Sequence, residues 1–129
     1  MKALGVAVCI VLMSSSARAQ TAGEMLQACE ILQRGMHIEG ETVYIPPSSE
    51  ANQCWGFIEA IQEYSVLVGL NGKTLLGACP DPDGKSTQVL RILITYANAH
   101  PDELTSSAAA VAYEAMIDAF PCKRKGTGG

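Results

Sequence analysis

The sequence predicts an all-α protein, a small four-helix domain braced by disulfides. Three observations lead there. Apolar residues recur at helical spacing in four separate stretches, cap and stop residues bound those stretches, and four cysteines follow a leader-like N-terminus. Only Thr42-Val43-Tyr44-Ile45 is β-prone, and one short segment cannot build a sheet alone.

Residues 1–19 read as a signal peptide rather than as part of the domain. Met1-Lys2 gives a short positive start, and Ala3 to Met13 is an apolar run broken only by Gly5. Ala17-Arg18-Ala19 supplies an A-x-A cleavage site, with the cut expected after Ala19. A membrane anchor is the weaker reading, because a span needs about 20 apolar residues. Cys9 lies inside the run without a lipobox-like setting, so lipidation is not expected. Cleavage removes Lys2 and Arg18, leaving seven basic residues against thirteen acidic ones and a formal charge of −6. That balance argues against nucleic acid and anionic lipid as partners, and for basic proteins. No second apolar run approaches spanning length, so no membrane segment is expected after cleavage. The helical domain is expected over 20–122, followed by a basic, Gly-rich flexible tail over 123–129.

The first helix opens with a capping box, Thr21-x-x-Glu24, and carries Met25, Ala28, Cys29 and Leu32 along one face. Gly35 is its stop. Met36 to Pro47 reads as an extended loop resting on the helices. Ser48-Ser49 then caps a second helix, with Cys54, Phe57, Ile58, Ile61, Tyr64 and Ser65 on its buried face and Gln53, Glu59 and Gln62 mostly opposite. Asn71-Gly72 signals a turn. Cys79-Pro80-Asp81-Pro82-Asp83-Gly84 is a second stiff loop, since two prolines fix the backbone. Ser86 is the expected cap of a third helix, whose stripe is Val89, Ile92, Leu93, Tyr96 and Ala97, widened by Leu90 and Ile94. It ends at His100-Pro101. A fourth helix starts near Thr105 to Ser107, and Ala108, Val111, Ala112, Ala115, Met116, Ala119 and Phe120 recur along it until Pro121.

Cys29, Cys54, Cys79 and Cys122 make an even count in an exported chain, which reads as two disulfides. No C-x-x-C pair is present, so zinc and dithiol-redox spacings are missing and no metal is expected. The third and fourth helices are joined by a short connection and should lie antiparallel. A Cys79–Cys122 bond would then clasp the open end of that hairpin, and Cys29 could face Cys54 across the first two helices. This pairing is preferred on topology, and crossed connectivity stays open.

The ordered set Cys54-Trp55-Gly56-Phe57-Ile58-Glu59-Ala60-Ile61, Cys79-Pro80, Tyr96-Ala97-Asn98-Ala99-His100-Pro101 and Ala119-Phe120-Pro121-Cys122, with Leu26 to Cys29 before it, resembles the Rap/Tai immunity proteins of type VI secretion systems. The resemblance covers nearly all of the chain beyond the leader. It implies an HdeA-like helical fold, often dimeric, in a periplasmic protein that binds an amidase toxin and blocks its active-site cleft. It implies no cofactor and no enzymatic activity. Ala60 stands where the family often has glycine, and the Cys79-Pro80-Asp81-Pro82 pattern is tighter in proline than usual.

An inhibitor needs a rigid protruding element. The Asp81-Pro82-Asp83-Gly84 loop is one candidate and the Met36 to Pro47 loop, with Val43, Tyr44 and Ile45, is another. Tyr44, Trp55, Asp81 and Asp83 are the candidate contact residues, set against the plainer reading that these loops only cap helices and cover the core. Trp55, the single tryptophan, could anchor an interface or pack on the Cys54 disulfide. Two other functions compete. An HdeA-like acid-stress chaperone or general binding scaffold follows from fold analogy alone. An enzyme is disfavoured: His37 and His100 belong to no catalytic motif, the 81–84 aspartates lack EF-hand spacing, and Glu30, Glu59, Glu63 and Glu114 read as solvated helix faces.

Overall fold

A computed structural model describes residues 18–123. The leader up to residue 17 and the tail beyond Lys123 lie outside the described residues. Four helices form in order: α1 (Ala22–Gly35), α2 (Ser49–Val66), α3 (Ser86–Ala99) and α4 (Ala108–Ala119). A 3-10 turn over Pro101–Glu103 joins α3 to α4. The segment expected to be a plain extended loop instead folds back on itself. His37–Glu39 (β1) pairs antiparallel with Thr42–Tyr44 (β2), in the register His37 to Tyr44 and Glu39 to Thr42. The reversal is a two-residue turn in which Gly40 has φ +62°, a left-handed conformation that glycine adopts without a Cβ clash.

Local chemistry fixes each helix start. Thr21 closes a complete capping box: its hydroxyl accepts from the Glu24 N–H, and Glu24 accepts from the Thr21 N–H at 2.8 Å. The hydrogen bond from that backbone N–H, then the one from the Thr21 hydroxyl, hold the Glu24 carboxyl below the usual glutamate range. Ser48 and Ser107 cap α2 and α4 by accepting from Ala51 and Ala110. α3 departs from this pattern. Its cap is Lys85, with no side-chain bond, and Ser86 is already helical. The Ser86 hydroxyl is spent elsewhere, on the Gln62 side chain of α2.

The core lies where all four helices meet. α1 packs mainly on α2, α3 pairs with α4, and α1 touches both of the latter. Leu32, Ile58, Leu90 and Met116 are fully buried at the centre, together with Cys29 and Cys54. Cys29 bonds Cys54 with 5.1 Å between Cα atoms, and Cys79 bonds Cys122 with 4.9 Å. Around the second bond, Ala78 bridges Pro121 and the Cys79 N–H donates to the Phe120 carbonyl at 2.8 Å. Ser65 is the one buried polar residue among those described, and its hydroxyl donates to the Gln62 carbonyl.

Three faces differ from the periodic reading. Tyr64 was expected in the buried stripe of α2 but is 56% exposed, because Ser65 takes the inward position of that turn. On α3 the buried set is Val89, Leu90, Leu93, Ile94 and Ala97, while Ile92 and Tyr96 stay half-buried. On α4 the fully buried stripe stops at Met116; Ala119 is exposed in the groove it shares with α3, and Phe120 packs half-buried on the core.

Gly35 is where the hairpin segment returns to α1. A Cβ built there would come within 2.7 Å of the Pro46 ring, a group with little freedom to move aside. At Gly56, on the outer side of α2, a Cβ would meet nothing within 4 Å. Gly35→Ala is therefore expected to destabilise by about 1–3 kcal/mol through overpacking, whereas Gly56→Ala should stabilise by about 0.5–1 kcal/mol through helix propensity. Urea midpoints of both variants check this, and equal midpoints would refute it. Removing Cys79–Cys122 as the double alanine variant frees a loop of sequence separation 43, and a chain-entropy estimate puts the loss at about 4 kcal/mol. Glu24→Gln should cost stability at neutral pH and progressively less as the pH falls through the lowered Glu24 pKa, because the native carboxylate's advantage is full only above the unfolded value. A parallel pH series of the two proteins reads the difference.

Candidate functional site

The two loops singled out by sequence meet on one face of α2. The first groove lies between β1–β2, α2 and the start of α3. Ile38, Glu41, Val43, Trp55, Lys85 and Thr87 line it, and its volume is about 360 Å³. The second, of about 550 Å³, runs along α2 under the acidic loop, between Glu59, Glu63, Val66 and Pro82. Gln62 and Ser86 line both, so the two form one continuous trough. Gln62 also braces it: its amide donates to the Gly84 carbonyl and accepts from the Ser86 hydroxyl. One side chain on α2 thereby fixes the height of the 81–84 loop and the entry of α3.

The four candidate contact residues take different places. Trp55 lines the first groove and packs, half-buried, against the core. Tyr44 is outside the trough. It stacks on His37 across the hairpin, ring centroids 4.7 Å apart, while its neighbour Val43 points the other way, into the groove. This is the alternation of a strand, invisible while the segment is read as a loop. Asp81 and Asp83 flank Pro82, and the Asp81 carboxylate accepts from the Asp83 N–H at 2.9 Å. That is a local turn bond, and the Gly84 N–H to Asp81 carbonyl bond (2.9 Å) closes the same turn. Both aspartates remain exposed at the rim.

Sequence reasoning did not single out Ile38, Glu41, Gln62 or Lys85 as contacts. The signal that could have found Ile38 is the apolar alternation with Val43 across a two-residue turn. Gln62 was placed on the outer face of α2, the face of the trough, but nothing local marks it as a brace.

Acidic groups dominate this face. Glu41, Glu59 and Glu63 line the trough, and Asp81 and Asp83 flank the lining residue Pro82, against Lys85. Among the described residues no group of three or more His, Cys, Asp or Glu side chains converges closely enough to hold a metal ion. Glu59 and Glu63 are open to solvent on α2, which suits long-range attraction of a basic surface better than proton transfer in a dry pocket.

Two other concavities are less telling. A slit between the helices, lined by Met25, Phe57, Leu93 and Val111, has a volume of about 20 Å³, room for about one water. A groove between α3 and α4 carries Arg91, Tyr96, His100 and Asp118. There Tyr96 stacks on His100 with centroids 4.0 Å apart, and burial, then Glu103 and the other nearby carboxylates, push its phenol up. The His100 ring nitrogen Nδ1 lies 2.8 Å from the Tyr96 carbonyl, so that pair finishes the end of α3.

No curated protein and no solved structure matches this chain. The family model of Rap1a immunity proteins matches residues 21–122. That stretch begins at the Thr21 cap of α1, ends at Cys122, and takes in all four helices, both disulfides and the trough. The chain belongs to the family of Rap1a immunity proteins.

Proposed function

We propose that the protein is a periplasmic immunity protein that binds an amidase-type, peptidoglycan-degrading toxin and inhibits it stoichiometrically by covering its active-site cleft. Family membership supports a role against a secreted toxin. The leader-like residues 1–19 and the two disulfides support an exported, oxidising location. The observation that carries the binding mode is the braced trough, with Trp55 at one end and the acidic edge of Glu59, Glu63, Asp81 and Asp83 at the other. An HdeA-like architecture and a dimeric state rest on the resemblance.

The physical logic is that of a preformed inhibitor. Gln62, the prolines and the hairpin register hold the face in one shape before contact, so little ordering entropy is lost on binding. Trp55 is half-buried and offers apolar area at its open edge, the arrangement of an interface anchor. The carboxylates around it steer a basic partner and speed encounter.

Co-expression of the adjacent secreted gene product, directed to the periplasm, with and without this chain tests the reading. Survival only with the chain is expected, and equal killing removes it for that pair. In purified components, Glu59→Lys with Glu63→Lys should slow association by roughly ten-fold and flatten its salt dependence. Trp55→Ala should act on dissociation instead and cost about 2 kcal/mol of affinity. Stopped-flow association and surface-bound dissociation rates separate the two. Unchanged rates in both variants would move the contact off this face.

A further inference from the structure

Among the described residues, the segment that joins α2 to the acidic loop carries the largest group of exposed aliphatic side chains. Residues 67–75 close into a tight turn: the Leu75 N–H donates to the Leu67 carbonyl at 3.0 Å and the Gly69 N–H to the Lys73 carbonyl at 2.8 Å. Asn71 Oδ1 accepts from the Lys73 N–H at 3.0 Å, and Gly72 takes φ +73°. These bonds close the turn on itself, and its larger side chains stand outside it. Leu70 is fully exposed, Val68 is 61% and Leu75 58% exposed, and Leu67 and Tyr64 lie open beside them. Between Glu63 and Asp81 the sequence holds no acidic residue, and its single charge is Lys73.

The fold brings a second basic element to the same place. The Cys79–Cys122 bond, the Ala78–Pro121 bridge and a Thr74 Oγ1 to Cys122 Sγ contact of 3.9 Å hold the end of α4 against this segment. Lys123 is exposed directly after it. Arg124 and Lys125 come next in the chain, and residues 119–129 contain no acid.

We propose that this end of the molecule docks on the surface of an anionic phospholipid bilayer, with Leu70 and Val68 entering the headgroup region and Lys73 and Lys123 meeting lipid phosphates. Aliphatic side chains on a hydrogen-bonded turn, with Lys73 within it, Lys123 at the chain end tethered beside it and no acid between Glu63 and Asp81, complement a surface that is apolar beneath and negative above. The acidic balance of the whole chain argues the other way only if charge is averaged. At physiological salt, exposed charges more than about 8 Å away are largely screened, so the local cations decide. A second copy meeting this patch about a two-fold axis would bring Lys73 and Lys123 of both copies into one interface with no acid from the segment to offset them, which like charges disfavour.

Vesicle sedimentation tests this with protein recovered from the periplasm, its N-terminus fixed by mass spectrometry. Mixed phosphatidylethanolamine and phosphatidylglycerol vesicles should carry it down, and phosphatidylcholine vesicles roughly ten-fold less. High salt should release it. Leu70→Asp and Lys73→Glu should each reduce the bound fraction by roughly ten-fold, with thermal melts unchanged because both side chains are external. Equal sedimentation with the two lipids, or wild-type binding by Leu70→Asp, overturns the proposal. So does a Leu70→Asp variant that fails to protect against toxin while neither protein sediments with vesicles, since the turn is then a protein contact.

Discussion

Cys54 is the point on which the candidate binding face depends. Its sulfur is buried between α1 and α2, bonded to Cys29 at the centre of the core. That bond fixes both the rotation of α2 about its axis and its height against α1. Trp55, one residue further and about 100° round the helix, is therefore aimed at the hairpin. Gln62 lies two turns on from Cys54, about 80° round, and meets Gly84 and Ser86. A slip of one residue in this contact would turn every groove-lining side chain of α2 by the same angle. In a domain with a core this small, packing alone sets such a register weakly, and a covalent link sets it firmly.

The same geometry explains what could and could not be read in advance. The four helices were legible because their apolar spacing persists over three or more turns and their caps are local. Faces were legible only to within a turn. Relative to Cys54, Ile58 and Ser65 lie within about 40° on an ideal helix, while Tyr64 lies about 80° away. Tyr64 looked apolar and was assigned inward, but a small serine with a backbone partner fits the closing gap better. The hairpin was illegible for another reason. Its strands have three residues each, too few for alternation to outweigh a loop reading, and its pairing depends on Gly40 adopting a positive φ. The site was half legible. Both stiff segments were visible, but that they share one trough follows from Gln62, whose brace joins residues 22 and 24 positions apart.

Charge shows a similar limit of one-dimensional reading. Composition gives an acidic chain and points to basic partners, which suits the trough. In the fold, Glu59, Glu63, Asp81 and Asp83 lie on α2 and the 81–84 loop, while Lys123 follows Cys122, which the second disulfide and the Thr74 contact tie beside the segment that carries Lys73. A total charge describes neither region. The two disulfides thus do different work: one orients the face that carries carboxylates, and the other assembles an end that carries cations and exposed aliphatics.

The proposed role as an inhibitor asks for a face that holds its shape, and the fold supplies one. Lids and hinges in enzymes are drawn from the least stable parts of the fold. Here both grooves are walled by helices, a register-locked hairpin and a proline-stiffened loop that is hydrogen-bonded back to α2. Rigidity has a second consequence for a stoichiometric inhibitor. Its affinity must outlast the encounter, and dissociation slows when neither the face nor its anchors can relax into a released shape. On the proposed reading, the cross-links that stabilise the small core would also lengthen a partner's stay, by removing local openings of the face that carries Trp55 and Glu59.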